Sequence, residues 1–329
     1  MSARIDLQIG YTCNNNCIHC FNLDTIISLK NRKLALDKNT NQIKEEIRRS
    51  AGKGCGEVVF TGGEATIRKD FFELLEFAKS LGLKASLQTN GRMFSSKEFA
   101  ERTLKIDPNI SFIIPFHHTK PEIFDSITRI KNSYDQTISG IKNLIHFGAK
   151  NICLKRILLK QNYKDLENMV KLSSTFGIKQ LDFTFVEGGG SARINWFSIA
   201  PHYTDIEHYV KKAIDFSNSL KINVTIFDIP FCFLQGYEKH VSEIEYIKKY
   251  LNEESDERIT ISKNENIIKE LELKIRKKPK QCKRCKFFNV CFGVWEEYLK
   301  FYGSDEFKPI EGKQIIDMKK LESVVKNSR

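Results

Sequence analysis

From residue 4 to residue 227 the chain repeats one pattern: a short apolar or alternating segment, a polar break, then apolar residues at helical spacing. Extended segments are expected at 4–10, 57–61, 84–89, 110–116, 152–159, 180–186 and 223–227. Helices are expected at 71–81, 95–104, 134–147, 163–176 and 203–220. The first of these carries apolar residues at 71, 72, 74, 75 and 78, with Gly82 just past its end. Such alternation with short connections implies a mostly parallel sheet with helices packed outside it. Six strand–helix units fit before residue 220, fewer than the eight of a closed barrel. The expected fold is therefore α/β, a partial (β/α)6 barrel, although a doubly wound sheet has the same local pattern. The alternation stops after Asp228. We place a boundary there: a barrel over 1–228 and a small cysteine-rich domain over 229–329. Residues 238–275 are charged and read as partly helical.

Composition matters chiefly for what it excludes. With 41% hydrophobic and 11% aromatic residues the chain is not disordered. No run approaches the ~18 apolar residues of a membrane helix, and the start carries no apolar signal stretch. A cytoplasmic protein without a membrane partner is expected. Nine cysteines in such a chain are poor candidates for structural disulfides. They cluster instead, at Cys13, Cys17 and Cys20 and again at Cys282, Cys285 and Cys291, with Cys55, Cys153 and Cys232 single. Close thiolates point to a soft metal or an iron–sulfur cluster.

The first cluster, Tyr11-Thr-Cys13-Asn-Asn-Asn-Cys17-Ile-His-Cys20, directly follows the first strand. Three thiolates in so short a loop can ligate three irons of a cubane and leave the fourth open. A zinc site completed by His19 is the alternative from spacing alone. Three other segments lie at strand ends: Thr61-Gly62-Gly63-Glu64, Gln88-Thr89-Asn90-Gly91 and Glu187-Gly188-Gly189-Gly190. Glycine lets backbone approach a ligand closely, and Glu64 is an acceptor suited to an ammonium group.

Together these segments resemble the radical S-adenosylmethionine (SAM) superfamily, over roughly residues 4–220. The resemblance implies a 4Fe-4S cluster on Cys13, Cys17 and Cys20, whose open iron binds the amino and carboxylate groups of SAM. It implies reductive cleavage of SAM to a 5′-deoxyadenosyl radical that abstracts hydrogen from a substrate. Gly62, Gly63, Glu64 and Asn90 match the segments that position SAM, and 188–190 the backbone beside the adenosyl group. Two positions depart from the family pattern. His19 stands where an aromatic residue often contacts adenine, and Pro115 where the fourth strand often ends in Ser.

Lys155 and Arg156 point to opposite faces of the fifth strand, so one of them faces inward. Arg156 is the preferred inward cation, with the SAM carboxylate, an acidic substrate or Glu64 as its partner. His117 and His118, at the end of the fourth strand, are catalytic candidates, His117 foremost; both also fit a structural role.

The second cluster, Cys282-Lys-Arg-Cys285-Lys-Phe-Phe-Asn-Val-Cys291, is similar to the twitch and SPASM extensions of radical SAM enzymes, which hold auxiliary clusters. Three cysteines are too few for the full SPASM pattern, so one auxiliary 4Fe-4S cluster is expected, with Cys232 as its fourth ligand. A zinc ribbon and a cluster with an open iron are the alternatives. In the open case Cys232 becomes a candidate hydrogen-atom donor. Cys55 and Cys153 read as small core residues.

The implied partners are an electron donor such as flavodoxin or ferredoxin and a substrate, either a ribosomal peptide under maturation or a small metabolite. The formal charge is +12, and residues 274–286 carry many cations and no acid. That stretch fits RNA, an acidic peptide or nucleotide phosphate, or a solvated linker offsetting the cluster thiolates. It has no recognised RNA-binding signature. A nucleotide- or RNA-modifying enzyme is the alternative function, and a zinc-stabilised binding module without catalysis is a second.

Overall fold

The computed structural model describes residues 3–244, 275–315 and 318–328. Seven parallel strands form one sheet: β1 (Ala3–Gln8), β2 (Cys55–Thr61), β3 (Lys84–Gln88), β4 (Ser111–Pro115), β5 (Asn151–Leu158), β6 (Gln180–Phe185) and β7 (Asn223–Phe227). They pair in strict sequence order from β1 to β7. A doubly wound sheet requires the order to reverse at a switch point, so that alternative is removed. Among the described residues β1 and β7 are the two edges, as in a barrel left open on one side.

The connecting helices are α1 (Leu23–Asn31), α2 (Thr40–Gly52), α3 (Phe71–Ser80), α4 (Lys97–Ile106), α5 (Pro121–Thr128), α6 (Ser133–His146), α7 (Leu166–Thr175), α8 (Gly190–Ile194), α9 (Trp196–Ile199) and α10 (Tyr203–Ser219). Long helices bury one face. On α10 that face is Tyr203, Ile206, Val210, Ala213, Ile214 and Ser217, spaced three and four apart. Five of these helices were not anticipated from the sequence, α1, α2, α5 and the short α8 and α9. α1 buries no residue, so it carries little of the periodicity that reveals a helix. α2 did carry a signal: Asn39 and Gln42 form a reciprocal capping box ahead of buried Ile43 and Ile47. α5 starts on Pro121, whose missing N–H costs nothing at a helix start.

The two faces of the sheet differ chemically. On β5, Ile152, Leu154, Arg156 and Leu158 are buried, while Cys153, Lys155 and Ile157 alternate with them and are only half-buried. The buried face packs under the helices and the other lines the lumen. A closed eight-strand barrel fills its interior with branched apolar side chains. Here the lumen is polar. Gln8 is in register with Thr61, whose hydroxyl donates to Gln88 Oε1 at 2.9 Å; Lys155 is in register with Asp182, and Asp182 with Thr225.

Beyond β7 a two-stranded antiparallel sheet pairs β8 (Arg276–Lys277) with β9 (Val294–Trp295), followed by α11 (Glu296–Tyr302) and α12 (Met318–Lys326). This lobe docks on the β6–α10 side through rings: Tyr298 lies 4.6 Å from Tyr203 and 5.6 Å from Phe185. Arg276 sits 4.3 Å over Trp295 and pairs with Asp228, the residue just past β7. The expected helix within 238–275 lies mostly outside the described residues. No helix among the described residues is long and apolar enough to cross a membrane.

Candidate functional site

The loop that follows β1 carries Cys13, Cys17 and Cys20, and several distant segments clamp it. Asp37 Oδ1 accepts the N–H groups of Tyr11 and Thr12 at 2.8 and 3.0 Å. Asn16 and Ile18 donate to the carbonyls of Thr128 and Ile127 at the end of α5. Arg92 donates to the Asn14 carbonyl and, at 2.8 Å, to Asn15 Oδ1. Asn195 Nδ2 donates to Ile18 O and the Ser191 N–H to Cys20 O, both at 2.9 Å. A loop held at this many points pays little ordering entropy when it binds a ligand. Asp37 and Arg92 were not singled out from sequence. Arg92 follows Asn90-Gly91 directly; Asp37 carries no local signal.

None of the nine cysteines is in a disulfide. Burial pushes the Cys13 thiol up to about 11 and the Cys17 thiol up to about 12, with neighbouring thiols of the loop adding to each. Burial raises Cys20 as well. Thiols this close in a poor dielectric suppress one another's ionisation, and positive metal centres reverse that. Zinc–sulfur bonds of 2.3 Å would hold tetrahedral thiolates about 3.8 Å apart. Among the described residues the one set of three such ligand atoms lying within 4.8 Å of one another is Cys17, His19 and His117. The cysteine trios are spread more widely, which suits a multi-iron cluster better than one zinc ion.

Gly62 and Gly63 have a concrete packing role. A Cβ on Gly62 would stand 2.1 Å from Gly10 O, and one on Gly63 would stand 2.1 Å from Thr12 O. Gly62 also has φ of 135°, a conformation costly for other residues. With no side chains in the way, the Gly63 N–H donates to Gly10 O at 2.8 Å and the Glu64 N–H to Thr12 O at 2.9 Å. The end of β2 is thereby fixed to the cysteine loop. Glu64 is buried, and its carboxylate accepts from the Thr66 N–H, the Thr66 and Thr89 hydroxyls, and the Asn90 N–H. Burial raises its pKa while these bonds oppose the rise. Asn90 Nδ2 in turn donates to Asn14 Oδ1 at 2.6 Å. The tips of β2 and β3 and the cysteine loop form one hydrogen-bonded unit.

The glycines after β6 approach the same loop. A Cβ on Gly190 would lie 2.3 Å from Cys20 O, and one on Gly189 would meet the Phe21 ring at 2.9 Å. All the quoted strand-end segments thus converge on the cysteines.

The fifth-strand cations reverse the expectation. Arg156 lies on the helix-packed face, fully buried, and donates to Phe116 O at 3.0 Å and to Asp165 Oδ2 at 3.1 Å. Its partner is Asp165, at the head of α7, and neither Glu64 nor a ligand is needed to neutralise it. The lumen-facing cation is Lys155, in register with Asp182 and 5.0 Å from the Phe227 ring. The cause is simple: a short turn after β5 returns a carboxylate to the outer face, which the strand pattern does not reveal. Cys153 also departs from its expected core role, because it faces Asp182 on the polar side. Cys55 is buried among apolar residues as expected.

His118 is accounted for by structure: Nδ1 accepts the Lys120 N–H at 2.9 Å and lies 3.4 Å from Asp165. His117 is different. It is buried, its ring lies 5.0 Å from that of His19, and its Nδ1 has no hydrogen-bond partner.

The second centre gathers Cys232, from the loop after β7, with Cys282, Cys285 and Cys291. The four line one cavity of ≈ 430 Å³, counting its open mouth, together with Phe231, Phe287 and Phe288. Phe231 and Phe287 stack at 4.6 Å, joining the two chain segments that supply the thiols. Burial pushes Cys232 well above the ordinary thiol range, with Cys291, Cys282 and Cys285 adding to the effect; burial likewise lifts Cys291 to about 11. The Gly293 N–H donates to Cys291 Sγ at 3.3 Å, and Lys278 favours the thiolates of Cys282 and Cys291. A greasy pocket with four convergent thiols fits an auxiliary cluster. The basic stretch is partly spent here: Arg276 is engaged by Asp228 and Glu243, and Lys278 donates to Phe288 O at 2.5 Å. Lys274 lies outside the described residues.

Comparison with known proteins places these features. A probable GTP 3′,8-cyclase of Sulfurisphaera tokodaii is 28% identical over 164 residues, covering 49% of this chain and 50% of that protein. Mycofactocin maturase MftC of Mycolicibacterium smegmatis is 24% identical over 194 residues, covering 59% of this chain and 47% of that protein. The chain spans about half the length of these curated relatives. The solved structure of native anSMEcpe with bound AdoMet and Kp18Cys peptide shares the fold with a TM-score of 0.62 at 16% identity, over 94% of this chain and 92% of that one. Residues 7–173, half of the chain, match the family model described as the Radical SAM superfamily. The match runs from the end of β1 through most of α7 and includes the cysteine loop and the β2 and β3 ends bonded to it, and on that ground the chain belongs to the radical SAM superfamily.

Proposed function

We propose that this chain is a radical SAM enzyme that modifies a peptide held in the mouth of the open barrel. The observation that carries the reading is the convergence of three strand-end segments on one loop bearing Cys13, Cys17 and Cys20, two through their glycines and one through Asn90. A 4Fe-4S cluster on those thiols and SAM at its open iron supply the chemistry, a 5′-deoxyadenosyl radical that abstracts hydrogen from the substrate. The chain's own residues do the holding. Gly62 and Gly63 seat the loop, and Glu64 and Asn90 fix the adjoining strand tips that would border SAM. Arg156 is not carried forward as a SAM ligand, since its guanidinium is engaged by Asp165. Lys155 and Asp182 give the lumen a polar wall for substrate.

We assign residues 1–228 to the barrel and 229–329 to a twitch-like lobe. Cys232, Cys282, Cys285 and Cys291 would hold a second, auxiliary 4Fe-4S cluster. With four thiols available it is closed, and Cys232 is a ligand rather than a hydrogen-atom donor. A low-potential carrier such as flavodoxin or ferredoxin supplies the electron. The peptide substrate class is supported by the similarity to a maturase and by the peptide-bound structure that shares the fold across nearly the whole chain. Similarity to a GTP 3′,8-cyclase favours a nucleotide as the second reading.

The experiment uses anaerobically reconstituted full-length protein with SAM, reductant and either a pool of short peptides or GTP. We expect peptide products altered in mass, formed alongside 5′-deoxyadenosine. Conversion of GTP with untouched peptides would select the nucleotide reading instead.

A further inference from the structure

Two imidazoles, buried His117 and half-buried His19, crowd the cysteine loop with shielded Nδ1 atoms that have no partner. His19 belongs to the loop itself; His117 arrives from the end of β4. One ring nitrogen of each and Cys17 Sγ all lie within 4.8 Å of one another. A buried imidazole N–H left unpaired costs about 1–3 kcal/mol. Native interiors leave few such groups without a reason. Nearby groups are tied down in part: His118 is held by Lys120 and Asp165, and Arg156 by Phe116 O and Asp165 through Nε and Nη1, with only its Nη2 left unpaired. The ring of His117 is itself fixed, 5.1 Å from the Phe124 ring on one side and 5.0 Å from His19 on the other.

We propose that His117 is a positioning residue for the SAM-binding cluster, donating its ring N–H to the Cys17 sulfur. This rests on the radical SAM reading and adds to it a residue outside the motifs that carry the resemblance. A hydrogen bond to a ligating sulfur drains negative charge from it, stabilises the reduced cluster and raises the reduction potential. The donor comes from β4, a rigid strand, so its placement does not depend on the loop it serves. Arg156, a fixed positive charge close enough to act on His117, works in the same direction.

The test is a redox titration of the reconstituted full-length protein followed by EPR. The cluster at Cys13, Cys17 and Cys20 is identified as the signal that changes when SAM is added, and the auxiliary cluster serves as an internal reference. His117→Leu keeps bulk without a donor, and His117→Asn keeps a donor. We expect a more negative potential for the SAM-responsive cluster in His117→Leu, a smaller shift in His117→Asn, and no shift of the auxiliary cluster. Equal potentials in wild type and His117→Leu would overturn the proposal. Should either variant fail to load iron, pulsed EPR of reduced wild type with 15N-labelled histidine decides. Nitrogen coupling to that cluster that persists in the labelled His19→Phe protein supports the bond, and its absence overturns it. A chain with no SAM-responsive signal at all would bring down the parent reading and this inference together. A responsive signal with an unmoved potential brings down this inference alone.

Discussion

Glu64 Oε2 accepts the backbone N–H of Asn90 at 2.7 Å, so a carboxylate at the end of β2 fixes the tip of β3. The same side chain takes three further hydrogen bonds from Thr66 and Thr89. In the apo protein Glu64 is therefore a structural hub first. Glu64→Ala leaves several buried donors unpaired, each worth about 1–3 kcal/mol. We expect a loss of roughly 3 kcal/mol in denaturant unfolding and poor cluster loading. An unchanged unfolding midpoint would show that the hub is dispensable.

Arg156 and Asp165 form a buried ion pair that anchors the turn between β5 and α7. Removing one partner strands the other charge, at a cost of about 3–5 kcal/mol. Arg156→Met should unfold at markedly lower denaturant. Lys155→Met should leave stability nearly intact and instead lower product yield while 5′-deoxyadenosine still forms. The opposite pattern, a stable Arg156→Met that cannot bind SAM, would restore the role first expected of Arg156.

Glu243 is buried, and burial together with nearby Asp228 raises its pKa to about 7, against the pull of Arg276. Between its unfolded value near 4.5 and about 7 the folded protein holds a proton that the unfolded chain has released. Stability is thus fully present below that window, falls as pH rises through it, and levels off above pH 7. Chemical denaturation from pH 4.5 to 8 should reveal this slope, and Glu243→Gln should flatten it. A slope of the same size in the variant would place its origin elsewhere.

Cys285 lines the second cavity with Cys232, Cys282 and Cys291. Cys285→Ala should lower iron content and erase one set of EPR features while sparing the SAM-responsive set, and it should stop product formation. Full product yield from this variant would remove the auxiliary cluster from the reaction.

Much of the barrel was legible because parallel strands buried on one face need apolar alternation and helices need apolar stripes. α10 shows the stripe plainly, and its boundaries were read nearly in full. α1, which buries nothing, was invisible for the same reason. The cysteines and their partner segments were legible because cluster chemistry restricts residue type and spacing. Long-range partners were not: Asp37 beside Tyr11 and Thr12, or Asp165 beside Arg156, leave no periodic trace in a sequence. Alternation established that Lys155 and Arg156 oppose one another. Which of them faced the lumen depended on a carboxylate delivered by the following turn, information that sits outside the strand.

Cleavage of SAM by the reduced protein is the most direct measurement of the central claim. Anaerobic full-length protein, reconstituted with iron and sulfide and reduced with dithionite, should release 5′-deoxyadenosine, and Cys17→Ala should release none. Wild-type protein carrying a complete cluster on the first cysteine loop, yet producing no 5′-deoxyadenosine under these conditions, would contradict the account.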